Sequence, residues 1–143
     1  MSFTDIYQIS GSAMTAQTIR LNTVASNMAN AESPASSEAQ AYKARSPVFA
    51  AVYNNSLIGA NNRHGIDGAS VQVQDVMQSG GVVKRYEPHH PMADQNGFVW
   101  YPDVNVVEQM ADMMSASRDF ETDVDVLNNV KSMQQSLLKL GEV

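Results

Sequence analysis

The sequence predicts an α+β fold in which two long terminal helices flank a small β-rich middle segment with long loops. Three observations carry this. An apolar stripe with a heptad step runs along each end of the chain. Six of the eight glycines, Gly59, Gly65, Gly68, Gly80, Gly81 and Gly97, lie between the stripes, so that region is punctuated by turns. Short alternating or β-branched stretches occupy that same interval. At 143 residues and 15.6 kDa the chain suits one domain of ordinary size. The expected division is a discontinuous helical part, 1–31 plus 103–143, and a middle region, 32–102, that contains a β-hairpin.

In the first helix the stripe is Phe3, Tyr7, Ser10, Met14, Gln17, Leu21, Val24 and Met28, with steps alternating between 4 and 3. A period of 3.5 is the narrow seam of a coiled coil. Ala13, Ala16, Ala25 and Ala29 lie beside it and would let another helix approach closely. The run ends at Ala31-Glu32-Ser33-Pro34, because the residue before a proline resists the helical region.

The middle offers four strands. Ser46–Tyr53 is apolar and β-branched. Val71–Val76 alternates with period two. Ser79-Gly80-Gly81 reads as a turn that leads into a return strand, Val82–Tyr86, and so predicts a hairpin of these two. Phe98–Tyr101 is a short fourth strand. Residues 54–70 have no period and read as a loop.

The second helix carries Val106, Met110, Met113, Ser117, Phe120, Val124 and Leu127, again stepping by 4 and 3. Beyond Leu127 the stripe continues through Val130, Met133, Leu137 and Leu140, which requires a local slip of register. Asp103, just after Pro102, is the expected N-cap, and Gly141 stops the run.

Nine basic and fifteen acidic residues give a net charge of −6 and a pI near 4.8. Such a chain is a poor match for a phosphate backbone, so nucleic acid is excluded as a partner. Most of the acidity is local: residues 103–143 carry eight acids and three bases. There is no cysteine, hence no disulfide, thiol catalysis or thiolate metal site. No stretch approaches the ~20 apolar residues of a membrane span. The start, Met1–Ser10, lacks the order of a cleavable signal peptide, so the expectation is a chain that leaves the cytosol uncleaved or not at all.

His89, His90 and Asp94 form the one site-like cluster. They lack the i, i+4 spacing of helical metal sites, and imidazoles that cap loop backbone account for them more simply. No nucleotide loop or serine-hydrolase elbow occurs. Asp119, Glu121, Asp123 and Asp125 alternate, which on a helix reads as a solvated acidic face. The expectation is no enzyme, no cofactor, no metal and no small-molecule substrate. Met14, Met28, Met110, Met113, Met114 and Met133 fall in the two helices, and two stripes beside so small a middle call for partners outside the chain.

Ser12–Gln17, Arg20-Leu21-Asn22 and Ala25–Ala31 together resemble the N-terminal signature of bacterial flagellar rod and hook proteins, the axial proteins of the flagellum. Tyr86–Asp94, Gly97-Phe98-Val99, Tyr101–Asn105 and Glu108–Glu121 resemble the short proximal-rod members of that family. The resemblance implies a structural subunit of the proximal rod of the basal body. Such a subunit is exported uncleaved by the flagellar type III apparatus and polymerises into the periplasmic shaft that transmits motor torque to the hook. It also implies terminal helices that pair as an antiparallel coiled coil. Its partners would be other rod and axial proteins and the basal-body ring and export-gate components. The expected assembly interface is Phe3, Tyr7, Met14, Arg20, Leu21, Val24, Asn27, Met28 and Asn30 on the first helix, and Val106, Met110, Met113, Phe120, Val124 and Leu127 on the second. Two competing readings are a cytosolic coiled-coil adaptor and a metal-dependent enzyme built on His89 and His90.

Overall fold

Heptad spacing produces two long helices. In a computed structural model, which describes residues 3–53 and 69–141, helix α1 spans Phe3–Asn30 and helix α2 spans Val106–Leu140. They lie antiparallel, since partners descend α2 as they ascend α1. Asn27 meets Gln109, Arg20 meets Asp112, Gln17 meets Asp119 and Tyr7 meets Gln134. α1 stops at Asn30, whose side-chain amide donates to the Ser26 carbonyl, and Pro34 follows. α2 begins later than the sequence suggests. Asp103 lies outside the helix and donates its N–H to the Gly81 carbonyl. Asn105 is the N-cap instead, its Oδ1 accepting from the N–H groups of Val107 and Glu108. Gly141 closes the helix, donating to the Leu137 and Leu138 carbonyls.

Four strands occupy the middle: β1 Arg45–Tyr53, β2 Ala69–Gln78, β3 Val82–Tyr86 and β4 Phe98–Pro102. Their pairing differs from the expected one. β2 pairs with β1, and β3 pairs with β4, both antiparallel, so the Ser79-Gly80-Gly81 hairpin does not form. Those residues instead carry the chain from one two-stranded sheet to the other. Ser79 and Gly80 both donate to the Ala44 carbonyl, and a Cβ on Gly80 would stand 2.6 Å from Ala44 Cβ. Only glycine allows that approach. β3 prefers the aromatic strand: Tyr86 meets Phe98 edge to face at 5.2 Å, and Lys84 sits 4.0 Å over the Phe98 ring. Gly97, which leads into β4, has φ +80. The register of β1 with β2 breaks between Val48 and Phe49, where Gln74 is the extra residue of a bulge. Of the predicted loop 54–70, Ala69 and Ser70 open β2 and the rest lies outside the described residues.

Few apolar side chains are buried among the described residues, Ala41 among them. Ala16, Val24, Ala116 and Val130 are buried in the two helices, and Val99 and Tyr101 in β4, with Ala35 exchanging both backbone hydrogen bonds with Trp100.

Candidate functional site

α1 is the element that both the other helix and the β1–β2 ribbon pack against. It packs on α2 along one side and on the β1–β2 ribbon along another, while α2 has no comparable contact with either strand. Its exposed positions shrink to a line through Thr4, Gln8, Thr15, Thr18, Asn22, Ala25 and Ala29. The expectation that the first stripe lacks cover within its own chain is therefore corrected: the ribbon supplies a cover that no heptad count reveals.

On α2 the covered positions include Val106, Gln109, Met113, Ala116, Phe120, Asp123, Leu127 and Val130, which alternate by 3 and 4, with half-buried Asp112 beside them. Val106, Met113, Phe120 and Leu127 were expected. Ser117 is exposed and Met110 is 49 % exposed, whereas Ala116 is wholly buried. Val124 lies half-buried at the border. No slip of register follows Leu127. Hydrophobicity alone favoured Met110 over Gln109 and Val124 over Asp123. The small-residue signal that was visible on α1 is what marks Ala116.

The predicted α1 residues divide in a similar way. Phe3, Tyr7, Met14, Arg20, Leu21, Met28 and Asn30 are half-buried, and Val24 is buried. Arg20 reaches two carboxylates one heptad apart, Asp112 at 3.0 Å and Asp119 at 3.8 Å. It is the one base of α1 and clasps the helix pair, although both ion pairs are partly exposed and so individually weak.

Asn27 is 2 % exposed and every polar capacity of its amide is used inside the chain. Nδ2 donates to the Arg45 carbonyl at 2.8 Å and to Gln109 Oε1 at 2.9 Å. Oδ1 accepts from the Arg45 N–H and from the Tyr42 hydroxyl, each at 2.9 Å. It is thus a junction of α1, α2 and β1 rather than an outward-facing amide.

The four alternate acids also part company. Glu121 and Asp125 are exposed, while Asp119 takes part in the Arg20 clasp and Asp123 is half-buried on the seam. Burial first, and then the Asp119 charge, push the Asp123 carboxyl above its usual range. An ionised Asp123 therefore opposes folding above its native pKa, and that cost fades as pH falls through it. Asp123→Asn should raise stability slightly at pH 7, by no more than about 0.5 kcal/mol, and do nothing at pH 3. Melts at the two pH values check this.

The loop before β4 is occupied with its own backbone. His90 Nδ1 accepts from the Met92 N–H, and Asp94 Oδ1 accepts from the N–H groups of Asn96 and Phe98. The Phe98 bond is the main reason that the Asp94 carboxyl is held below its ordinary pKa. Nearby, burial and then the Glu87 carboxylate, which accepts its hydroxyl, push Tyr101 above its ordinary value. Among the described residues no group of three His, Cys, Asp or Glu could hold a metal ion.

What α2 leaves uncovered is apolar. Val107, Met110 and Met114 stand out near its start, and Met133, Leu137, Leu138 and Leu140 near its end. From Lys131 to Gly141 every residue is exposed. No helix among the described residues is long and apolar enough to cross a membrane.

A helix pair with apolar outer faces beside a β-rich middle suits a structural axial protein, and comparisons with known proteins agree. Residues 8–34 match the profile of the flagella basal body rod proteins, and residues 95–140 that of the flagellar basal body rod FlgEFG protein C-terminal region. The flagellar basal-body rod protein FlgC of Escherichia coli O6:H1 is 43 % identical over 143 residues, covering 99 % of this chain and 100 % of the relative. That of Salmonella typhimurium is 41 % identical with the same coverage, and that of Borreliella burgdorferi 32 % over 92 % of this chain and 93 % of the relative. The chain belongs to the FlgC family of flagellar basal-body rod proteins.

Proposed function

We propose that this chain is a structural subunit of the proximal rod, and that it polymerises through the outer faces of its helix pair into the periplasmic shaft that carries motor torque to the hook. Family membership implies contact with other rod and basal-body proteins. Ring and export-gate components and uncleaved type III export belong to the same proposal.

The observation that carries it is surface. Large apolar side chains stand exposed on α2 above all, with Val107, Met114, Met133, Leu137, Leu138 and Leu140 each more than half exposed. Apolar burial at ~25 cal/mol per Å² makes each such contact modest and many together strong, as a shaft requires. In a helical array the contacts are heterologous, with each face meeting a different one.

The test must separate assembly from folding. Leu21→Asp and Phe120→Asp strike half-buried positions of the helix pair, so both would weaken the subunit itself. Met114, 59 % exposed, and Leu137, 55 % exposed, are cleaner probes. Met114→Asp with Leu137→Asp should leave the melting temperature of the free chain within about 2 °C, as surface changes do. In cells it should abolish basal bodies and swimming. Normal swimming by the double variant would refute assembly through these faces.

A further inference from the structure

The β1–β2 ribbon lies along α1 and is held there by side chains of α1 at two separated points. At one end Asn27 treats Arg45 as a neighbouring strand would. Its Oδ1 accepts the Arg45 N–H, its Nδ2 donates to the Arg45 carbonyl, and the amide thereby stands in for a peptide group. Through Gln109 the same amide is tied to α2. At the other end Ser12 Oγ accepts the Val71 N–H at 3.0 Å and donates its own proton to the Ile9 carbonyl at 2.8 Å.

The spacing of the two points is matched on both elements. Ser12 and Asn27 are fifteen residues apart on α1, about 22 Å of helix. Val71 pairs with Ala51, six residues along β1 from Arg45, which is about 20 Å of strand. A ribbon of two strands is marginal alone, and this one has mostly exposed positions. Its direction must therefore be imposed from outside it.

We infer that Asn27 and Ser12 are paired positioning residues that fasten the ribbon to α1 so that ribbon and helix pair move as one body. In the assembled rod they would be the route by which load passes between the helical layer and the ribbon. That second statement rests on the rod reading; the fastening is a property of the single chain and is tested on it.

The chain has no cysteine, so a pair of introduced ones can carry spin labels. Gln74→Cys on β2 and Ser115→Cys on α2 lie at exposed positions. Double electron–electron resonance on the full chain should give one narrow distance. Adding Ser12→Ala, or Asn27→Ala, should at least double the width of that distribution while circular dichroism shows the helices intact. Thr15→Ala and Thr18→Ala serve as controls, because those hydroxyls bond only to carbonyls of their own helix and should leave the distribution narrow. Should Asn27→Ala fail to fold, Ser12→Ala decides alone. A narrow, unshifted distribution in folded Ser12→Ala overturns the inference. Because no rod is involved, that failure is distinct from failure to assemble basal bodies.

Discussion

Asn27→Asp is expected to lower the stability of the free chain by about 3 kcal/mol or more, with a fall in melting temperature of roughly 10 °C. The two side chains have the same shape, so no cavity or clash is involved. The change removes the amide's two donors and sets a carboxylate against the Arg45 carbonyl and Gln109 Oε1, at a position 2 % exposed. An ionised group buried against two acceptors loses its hydration without gaining a partner on that side. The Arg45 N–H and Tyr42 hydroxyl still donate to the other oxygen, which limits the damage. Acid should restore part of the loss, because a protonated carboxyl regains one donor. Thermal melts of parent and variant at pH 7 and pH 4 test this. Equal melting temperatures at pH 7 would mean that the amide faces water.

Ala116→Leu should have the next largest effect, about 1–3 kcal/mol of destabilisation. Ala116 is wholly buried on the seam of α2, which packs on α1. A helix pair that closes over alanine has no room for three more carbons, so the larger side chain must push the helices apart or adopt a poor rotamer. Ala111→Leu is the matched control: it has the same chemistry on an exposed face of the same helix. It should be neutral within about 0.5 kcal/mol. If the two variants melt together, the seam does not run through Ala116.

The elements were largely legible in the sequence, and their partners less so. Both helices and all four strands fall close to where periodicity places them, because burial on one face leaves its period in the chain. Strand pairing left no such trace. Val71–Val76 alternates equally well beside β1 or β3, and the outcome turns on Gly80 closing against Ala44 and on aromatic rings facing β3. Nor could hydrophobicity place the middle of the α2 seam, since Gln109 and Asp123 are polar and Ala116 is merely small. The N-cap moved from Asp103 to Asn105 because the Asp103 N–H is still bound to the Gly81 carbonyl, just ahead of β3. Asn27 stands out in the sequence, but the partners of its amide do not. A spacing can place an amide near the end of a helix, yet only coordinates show that Arg45, Tyr42 and Gln109 all converge on it.

One side chain, Asn27, reaches both the ribbon and α2, and the exposed positions of α1 form one line rather than two. The ribbon and α2 therefore sit on adjoining faces of α1, with α1 at the corner of an angle section. Material set off in two directions from a corner resists bending in both, where a flat strip resists it in one. The exposed line of α1 is the outer edge of that corner.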